Sequence, residues 1–253
     1  MSPYSPANAK IKALVNVPAL QPFLTSKRKI YSFDLISGWS CPFAKICLSK
    51  VHKVNNRAKV IDGPETTIRC FSASQEALLP AAYNKRMVNF LKMRQLAKIS
   101  PFAVADYLDT ELPNNAGIIR IHVGGDMFNE NYFLGWLWAA VRNPTVLFYA
   151  YTKSLNLWVK HQDKIPENFV LTASRGGRLD SMIDSHNLRE AKIVFSEKKA
   201  SQLGLEIDHD DSHAADISKK HQSFALLIHG TQPKNTEAAK ALVALKGKGS
   251  YSR

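Results

Sequence analysis

From residue 117 onward the sequence alternates between short apolar runs typical of strands and amphipathic stretches typical of helices. This order predicts right-handed β–α–β units and a parallel sheet, because parallel neighbouring strands need a crossover connection that a helix usually supplies. With the earlier run KIYSFDLI, six strands are predicted, at residues 29–36, 117–123, 146–151, 169–173, 191–195 and 223–229. Six parallel strands suit a partial barrel or an open sheet and are too few for a complete eight-stranded barrel.

The intervening segments predict helices, of which residues 130–142 are the clearest case because their apolar side chains recur at helical spacing. Shorter helices are predicted at residues 155–161, 179–185, 198–203 and 236–246. Ser72 and Gln75 fit a capping box for a helix that continues towards Ala97. Pro80 either kinks this helix or marks its true first turn. The polar, basic residues 48–67 predict an inserted loop or hairpin.

These elements divide the chain of 253 residues into three parts. Residues 1–28 contain four prolines and predict an irregular N-terminal segment. Residues 29–246 are expected to form a single α/β domain with an insertion after the first strand. Residues 247–253 are expected to be a flexible basic tail.

Composition narrows the class of protein. The sequence contains no run of about 18 apolar residues and no secretory signal pattern, which favours a cytoplasmic protein with no membrane partner. Lysine and arginine total 34 against 21 acidic residues, a formal net charge of +13. Such a charge attracts polyanions, and nucleic acid is the partner that it predicts.

The chain has three cysteines, and all of them lie within 30 residues: Cys41, Cys47 and Cys70. An odd number without a secretion signal disfavours a disulfide framework. Cys41 and Cys47 form a C-x5-C pair in a loop directly after the first strand, where α/β folds usually place their chemistry. Three thiolates suit a 4Fe-4S cluster with one open iron, or a zinc ion with His52 as fourth ligand. The alternative is three unrelated buried thiols.

Polar residues follow several predicted strands and are expected to share one face of the sheet. Lys153 and Arg175 would suit phosphate or carboxylate groups, and residues 175–178 (RGGR) could form a phosphate-binding turn. The other strand-end candidates are Thr152, Ser174, Ser196, Glu197 and His229. The residues HDDSH at 209–213 could bind a second metal, although a solvated loop is the simpler interpretation.

Long blocks of the sequence resemble a phage-encoded family known as gene product 88-like. The blocks are SGWSCPFAKICLSKV, IDGPETTIRCFSASQEALLP, IRIHVGGDMFNENYF, FYAYTKSLNLW, LTASRGGRLD, DHDDSHAAD and FALLIHGTQP, within residues 30–245. That family is in turn remotely similar to the radical S-adenosylmethionine enzymes, which have a partial (β/α)6 barrel of the TIM type and a cluster loop after the first strand. A Gly-Gly-Glu-like motif follows their second strand, where this chain has Gly124, Gly125 and Asp126.

The resemblance implies a 4Fe-4S cluster on the three cysteines and S-adenosylmethionine as cofactor, with Gly124, Gly125 and Asp126 contacting it. Ser174, at the end of a predicted strand, is a further candidate for binding this cofactor. The resemblance leaves Lys153, Arg175 and His229 as the candidate catalytic residues and requires an electron donor as partner. Two features depart from the superfamily pattern. Its usual spacing is C-x3-C-x2-C, whereas here the third cysteine is remote, and an aspartate stands where glutamate is common.

Three functions therefore follow from the sequence. The first is a phage-type iron–sulfur protein, similar to radical S-adenosylmethionine enzymes, that acts on nucleic acid or a nucleotide in the host cytoplasm. The second is a non-enzymatic nucleic-acid-binding protein with a structural zinc ion. The third is a replication or nuclease-type enzyme that uses the acidic and histidine residues of 209–213.

Overall fold

The computed structural model of the protein describes residues 2–54 and 57–246. Within these ranges the chain forms strands β1 to β10, which are Tyr4–Pro6, Lys29–Phe33, Ser49–Val54, Arg57–Asp62, Ala116–Ile121, Leu147–Thr152, Phe169–Ser174, Glu190–Val194, Glu206–Ile207 and Phe224–Leu227. The basic tail predicted at residues 247–253 lies outside the described residues.

The main sheet has eight strands in the order β1-β2-β5-β6-β7-β8-β10-β9. Its six central strands, from β2 to β10, are parallel and follow one another in chain order. They are the six predicted strands, with ends that differ by a few residues, so the α/β prediction of a parallel sheet is confirmed. In the part of the chain that is described, β1 and β9 do not pair, and the sheet stays open. A closed TIM-like barrel is therefore not formed.

The helices α1 to α11 are Ala9–Lys12, Gln21–Leu24, Phe71–Leu78, Pro80–Ala97, Pro101–Thr110, Glu130–Arg142, Leu155–Lys160, Ser181–Ser185, Glu197–Gln202, Ser212–Ala215 and Glu237–Ala244. The long helix expected near residues 72–97 is two helices, because Pro80 occupies the first turn of α4. The prediction of a capping box at Ser72 and Gln75 was wrong. The helix α3 already begins at Phe71, and the Ser72 hydroxyl donates instead to the Val123 carbonyl at 2.6 Å.

The predicted insertion is a hairpin in which β3 pairs with β4 in antiparallel register. The loop at its base is closed by Asp62, which accepts hydrogen bonds from Ser49 Oγ at 2.8 Å and from Arg69 Nη2 at 2.5 Å. The chain therefore leaves the sheet after β2, forms the hairpin, and returns at residue 70 close to the point where it left.

The two faces of the sheet bury different partners. Because the parallel strands follow chain order, right-handed crossovers place most of their helices on one face, where Ile119 and Ile121 pack in one apolar cluster with Trp136 of α6. The neighbouring Ile118 points to the opposite face, where the N-terminal segment supplies Ile11 and other buried side chains. The helix α10 is an exception and packs on this opposite face. In the ranges described, the helices lack the combination of length and apolar character that a bilayer crossing requires.

Candidate cofactor site at the carboxyl edge of the sheet

A cavity of about 740 Å³ opens at the carboxyl ends of the parallel strands. This volume lies within the usual range for small-molecule sites, and the carboxyl edge is where parallel α/β folds place them. The wall includes residues from the ends of four strands, from both cysteine segments and from α1. The sequence-predicted residues among them are Cys41, Cys47, Cys70, Gly124, Gly125, Asp126, Thr152, Lys153, Ser174, His209, Asp210, Asp211 and His229.

The loop that carries Cys41 and Cys47 is fixed by backbone hydrogen bonds to two other segments. The Ile46 N–H donates to the Gly176 carbonyl at 3.1 Å, and the Ile46 carbonyl accepts from Thr67 and Ile68 at 2.9 and 3.0 Å. Ile46 thus ties the cysteine loop to the end of β7 and to the chain that returns from the hairpin. Cys47 follows directly and lies half-buried at the cavity wall.

Cys70 occupies the N-cap position of α3. Its backbone N–H donates to Ser49 Oγ at 3.1 Å, so the base of the hairpin positions it. The thiol in turn meets the N–H groups of Ser72 and Ala73 in the first turn of α3. The N-terminal end of a helix favours negative charge, which suits a thiolate ligand.

The three thiols lie close enough to influence one another. Burial raises the pKa of Cys41 well above its ordinary value, and the charges of Asp126, Cys70 and Cys47 raise it further. Burial and the neighbouring Cys47 raise the pKa of Cys70 to about 11, although the α3 N–H groups act in the opposite direction. Cys41 and Cys70 are therefore protonated at neutral pH when no metal is bound, and a metal would displace their protons.

A single metal ion is a poor match for this arrangement. Among the residues described, no group of three histidine, cysteine, aspartate or glutamate side chains is arranged to hold one ion. His52, the fourth ligand that a zinc site would need, stacks against Trp39 with ring centroids 5.2 Å apart and does not line the cavity. In a four-iron cluster each thiolate binds a different iron, so the sulfurs need not converge on one point.

The glycines of the Gly124–Asp126 turn allow close packing of protein elements. A Cβ on Gly125, whose φ is +98°, would lie 2.6 Å from Leu35 Cβ and 2.8 Å from Ser40 Oγ. A Cβ on Gly124 would lie 3.0 Å from Ser72 Cβ in α3. The turn therefore requires glycine so that the segments leading to Cys41 and Cys70 can approach β5.

Asp126 joins the ends of β5 and β6. Its buried carboxylate accepts hydrogen bonds from Thr152 Oγ1 at 2.6 Å, from the Lys153 N–H at 2.9 Å and from its neighbour Met127 at 2.7 Å. A carboxylate has about four acceptor positions, so about one stays available on the side of the cavity. Burial raises the pKa of Asp126 in spite of these donors.

Lys153 and Ser174 act as a pair. The Lys153 ammonium donates to Ser174 Oγ at 2.6 Å and to the Ser174 carbonyl at 2.8 Å. His229 follows β10, and its Nδ1 lies 3.0 Å from the Leu227 carbonyl while its ring packs on Phe71. Burial lowers the pKa of His229 to about 4, so the imidazole is neutral at physiological pH.

Arg175 does not reach the cavity. Its guanidinium binds Asp184 at 2.6 Å and also pairs with Glu190, and these carboxylates raise its pKa. The predicted phosphate-binding turn is also satisfied within the chain, because the N–H groups of Gly176 and Gly177 both donate to the Asp180 carboxylate at 2.8 Å. The turn therefore binds an anion, which is the carboxylate of Asp180.

The 209–213 segment is held by ion pairs with the N-terminal segment and the sheet. The buried Asp211 carboxylate binds Lys10 Nζ at 2.5 Å, pairs with Arg120, and accepts from the Tyr149 hydroxyl at 3.1 Å. His213 Nε2 lies 2.7 Å from Glu206. Asp211 is thus already paired with two basic side chains, and among the residues described no group of three potential ligands in this segment is arranged to hold a metal ion.

The cavity wall contains two polar residues, Arg120 and His122, that were not predicted from the sequence. Arg120 Nε and His122 Nδ1 are buried and have no hydrogen-bond partner among the described residues. Burial lowers the pKa of His122 to about 3, so its ring is neutral. The sequence does carry a signal, since polar residues at every second position of a buried strand point to one face. In β5 these positions alternate with Ile119 and Ile121.

The sequence profile of one family, described as Gene product 88, matches residues 5–246 of the chain. No curated protein and no solved structure gives a significant match.

Proposed function

Because the chain belongs to the gene product 88 family and its three cysteines line one cavity, we propose that it is an iron–sulfur protein that resembles the radical S-adenosylmethionine enzymes. Cys41, Cys47 and Cys70 would hold a four-iron cluster at the mouth of this cavity. The observation that carries the proposal is the return of Cys70, which is 23 positions beyond Cys47 in sequence, to the thiols of the first loop.

The topology supports the same proposal. A partial (β/α)6 barrel would need six parallel strands in chain order, and the open sheet supplies such strands. The cysteine loop follows the first of these strands, and the Gly-Gly-Asp turn follows the second. The unusual spacing of the third cysteine is explained by the β3–β4 hairpin, which fills the sequence between Cys47 and Cys70.

The residues present fit a second ligand beside the cluster. Three iron ligands leave one iron open, and S-adenosylmethionine would add an ammonium, a carboxylate, a ribose and an adenine. Asp126 has about one acceptor position left for an ammonium. Arg120 and His122 line the same wall, and each has one buried side-chain nitrogen without a hydrogen-bond partner among the described residues. Ser174 Oγ, held by Lys153, lies on the same wall.

When bound, such a cluster supplies the electron that cleaves the sulfonium bond of S-adenosylmethionine. The chain itself would bind and orient these groups and exclude water from them. Lys153 holds Ser174 at the wall, and the neutral imidazole of His229 lines the cavity beside Phe71. Arg175 lies outside the cavity and serves the surface ion pairs. An external protein or small-molecule reductant is the partner that this chemistry requires.

Electron paramagnetic resonance of the reduced protein tests this proposal. After anaerobic reconstitution with iron and sulfide, we expect a four-iron signal that changes when S-adenosylmethionine is added. Asp126→Asn should weaken that change while the iron content is retained, because the variant removes the acceptor charge and leaves the cysteines intact. A protein that takes up no iron overturns the proposal as a whole. An iron signal that is indifferent to S-adenosylmethionine overturns only its cofactor half.

His52→Ala is the matched control against a zinc site. If zinc were the native metal with His52 as a ligand, this variant would lose metal while iron reconstitution failed in the wild type. We expect the variant to bind iron as the wild type does, because His52 packs on Trp39 and not on the thiols.

A further inference from the structure

The outer face of the β3–β4 hairpin is basic and carries an exposed aromatic ring at its edge. In the hairpin register, Lys50 and His52 face Ile61 and Lys59, while the intervening Val51 is buried on the opposite face. This outer face is therefore turned away from the core.

Trp39 lies against this face. The Lys50 ammonium is 4.6 Å from the centre of the indole, and the His52 ring is 5.2 Å away. Trp39 nevertheless stays 43% exposed. The lysine lies over one face of the indole, so a nucleic-acid base would stack on the exposed part of the ring while the ammonium reaches a phosphate.

The nearby acids do not cancel this charge. Asp62 is bound to Arg69 at the base of the hairpin, and Glu65 is shared between Lys45 and Arg178. The whole chain carries a formal net charge of +13. The face is thus complementary to a polyanion, and its aromatic ring distinguishes stacked bases from other anions.

We propose that single-stranded nucleic acid docks on this face, with a base stacked on Trp39 and phosphates at Lys50 and Lys59. The docked strand would lead to the cavity. Gly38 lines the cavity next to Trp39, and Phe71, which is 39% exposed and packs on the wall residue His229, continues the aromatic path. The inference concerns binding alone and does not depend on a cluster.

The chain offers a matched control on α6. Trp138 is 40% exposed and packs on Phe102 with ring centroids 5.3 Å apart. The described ion pairs of its region carry no excess of positive charge, because the single Arg142 binds both Asp106 and Asp109. Trp138 therefore has the exposure of Trp39 without the unbalanced positive charge.

Fluorescence anisotropy with a labelled oligothymidylate of about 12 nucleotides tests the inference, on metal-free and on reconstituted protein. We expect Trp39→Ala to weaken binding about 5- to 150-fold, the range for the loss of one stacked base. Trp39→Phe should restore much of the affinity, and Trp138→Ala should leave it unchanged. Lys50→Ala and Lys59→Ala should each lower the slope of log affinity against log salt by about 0.7.

Several outcomes would overturn the inference. They are wild-type affinity in Trp39→Ala, an equal loss in Trp138→Ala, tighter binding of duplex than of single strands, and binding of anionic vesicles in place of the oligonucleotide. Circular dichroism of each variant confirms that it folds. Because metal-free protein is included, failure here leaves the cluster proposal intact, and failure of the cluster leaves this result interpretable.

Discussion

The cysteine site and the 208–213 segment, which adds Asp208 to residues 209–213, both concentrate side chains of the types that bind metals. The charges of the two regions are nevertheless compensated in opposite ways. In the 208–213 segment, Asp211 is buried against Lys10 and Arg120, and His213 is paired with Glu206. At the cysteine site, burial and neighbouring negative charges raise the pKa values of Cys41 and Cys70. The first region pairs its charges within the chain, whereas the second keeps its thiols protonated and, in our proposal, available to a metal cluster.

This difference shows why the density of ligand-type residues in a sequence is a poor guide to a metal site. Residues 209–213 look richer than Cys41 and Cys47 because four potential ligands lie within five positions. Their partners, Lys10 and Arg120, come from remote parts of the chain. A potential ligand is useful to a metal only when the fold does not supply it with a cation first.

The largest expected effect on stability comes from removing a carboxylate of the 208–213 segment. Asp211→Ala should lower the free energy of unfolding by about 3–5 kcal/mol, because it removes the buried carboxylate that pairs with the half-buried Lys10 and Arg120. Asp210→Ala should cost less than about 1 kcal/mol, since Asp210 makes a single described hydrogen bond to the Ser212 N–H. Urea denaturation of both variants measures the difference. Equal losses would contradict the distinction between the two aspartates.

A smaller effect is expected at the turn beside the cysteines. Gly125→Ala should cost about 2–3 kcal/mol, because the added Cβ meets Leu35 and Ser40 in a conformation with positive φ. Gly204→Ala is the matched control. Its φ is +65° and nothing lies within 4 Å of the added Cβ, so it should cost only about 1 kcal/mol. If the two variants lose the same stability, close packing at Gly125 is not what the turn requires.

The pH dependence of stability separates the thiols from the rest of the protein. In an unfolded chain Cys70 loses its proton near pH 8.5, whereas in the folded metal-free protein its pKa is about 11. The stability that this thiol contributes is therefore complete below about pH 8.5 and is lost as the pH rises through 11. Cys70→Ala should flatten the stability profile in this window. An unchanged profile would mean that the thiol is not buried.

The smallest effect lies in the 208–213 segment. Asp208 and Glu206 raise the pKa of His213, so its contribution to stability is present below about pH 6.5 and is lost as the pH rises through the elevated value. His213→Gln should remove this dependence at a cost of less than about 1 kcal/mol at neutral pH. The free energy of unfolding, measured from pH 5 to 9 in the wild type and the variant, checks this dependence. A profile that falls in the variant as it does in the wild type would contradict the assignment.

The central strands could be predicted because buried parallel strands are continuous apolar runs that local sequence reveals. The edge strands β1 and β9 are only three and two residues long, too short for any periodicity. The helix α5 was missed although Ser100 and Pro101 form an N-cap followed by proline at N1. That pattern was readable and shows that a capping signal can reveal a helix between two better-defined elements.

The site was only partly predictable. The position of Gly124–Asp126 after the second strand follows from the strand pattern, and so does the placement of Ser174 and His229 on one edge. The spacing of the cysteines does not show that a hairpin returns Cys70, because this depends on the contacts of Ser49 and Asp62. The exclusion of Arg175 from the cavity depends equally on remote partners, Asp184 and Glu190.

The central claim is that the sulfurs of positions 41, 47 and 70 serve one metal cluster. The most direct measurement is the iron and acid-labile sulfide content of anaerobically reconstituted wild type, Cys41→Ala, Cys47→Ala and Cys70→Ala. We predict about four irons and four sulfides per wild-type chain and a severe loss in each of the three variants. Wild-type iron content in Cys70→Ala, with loss in the other two, would contradict the claim.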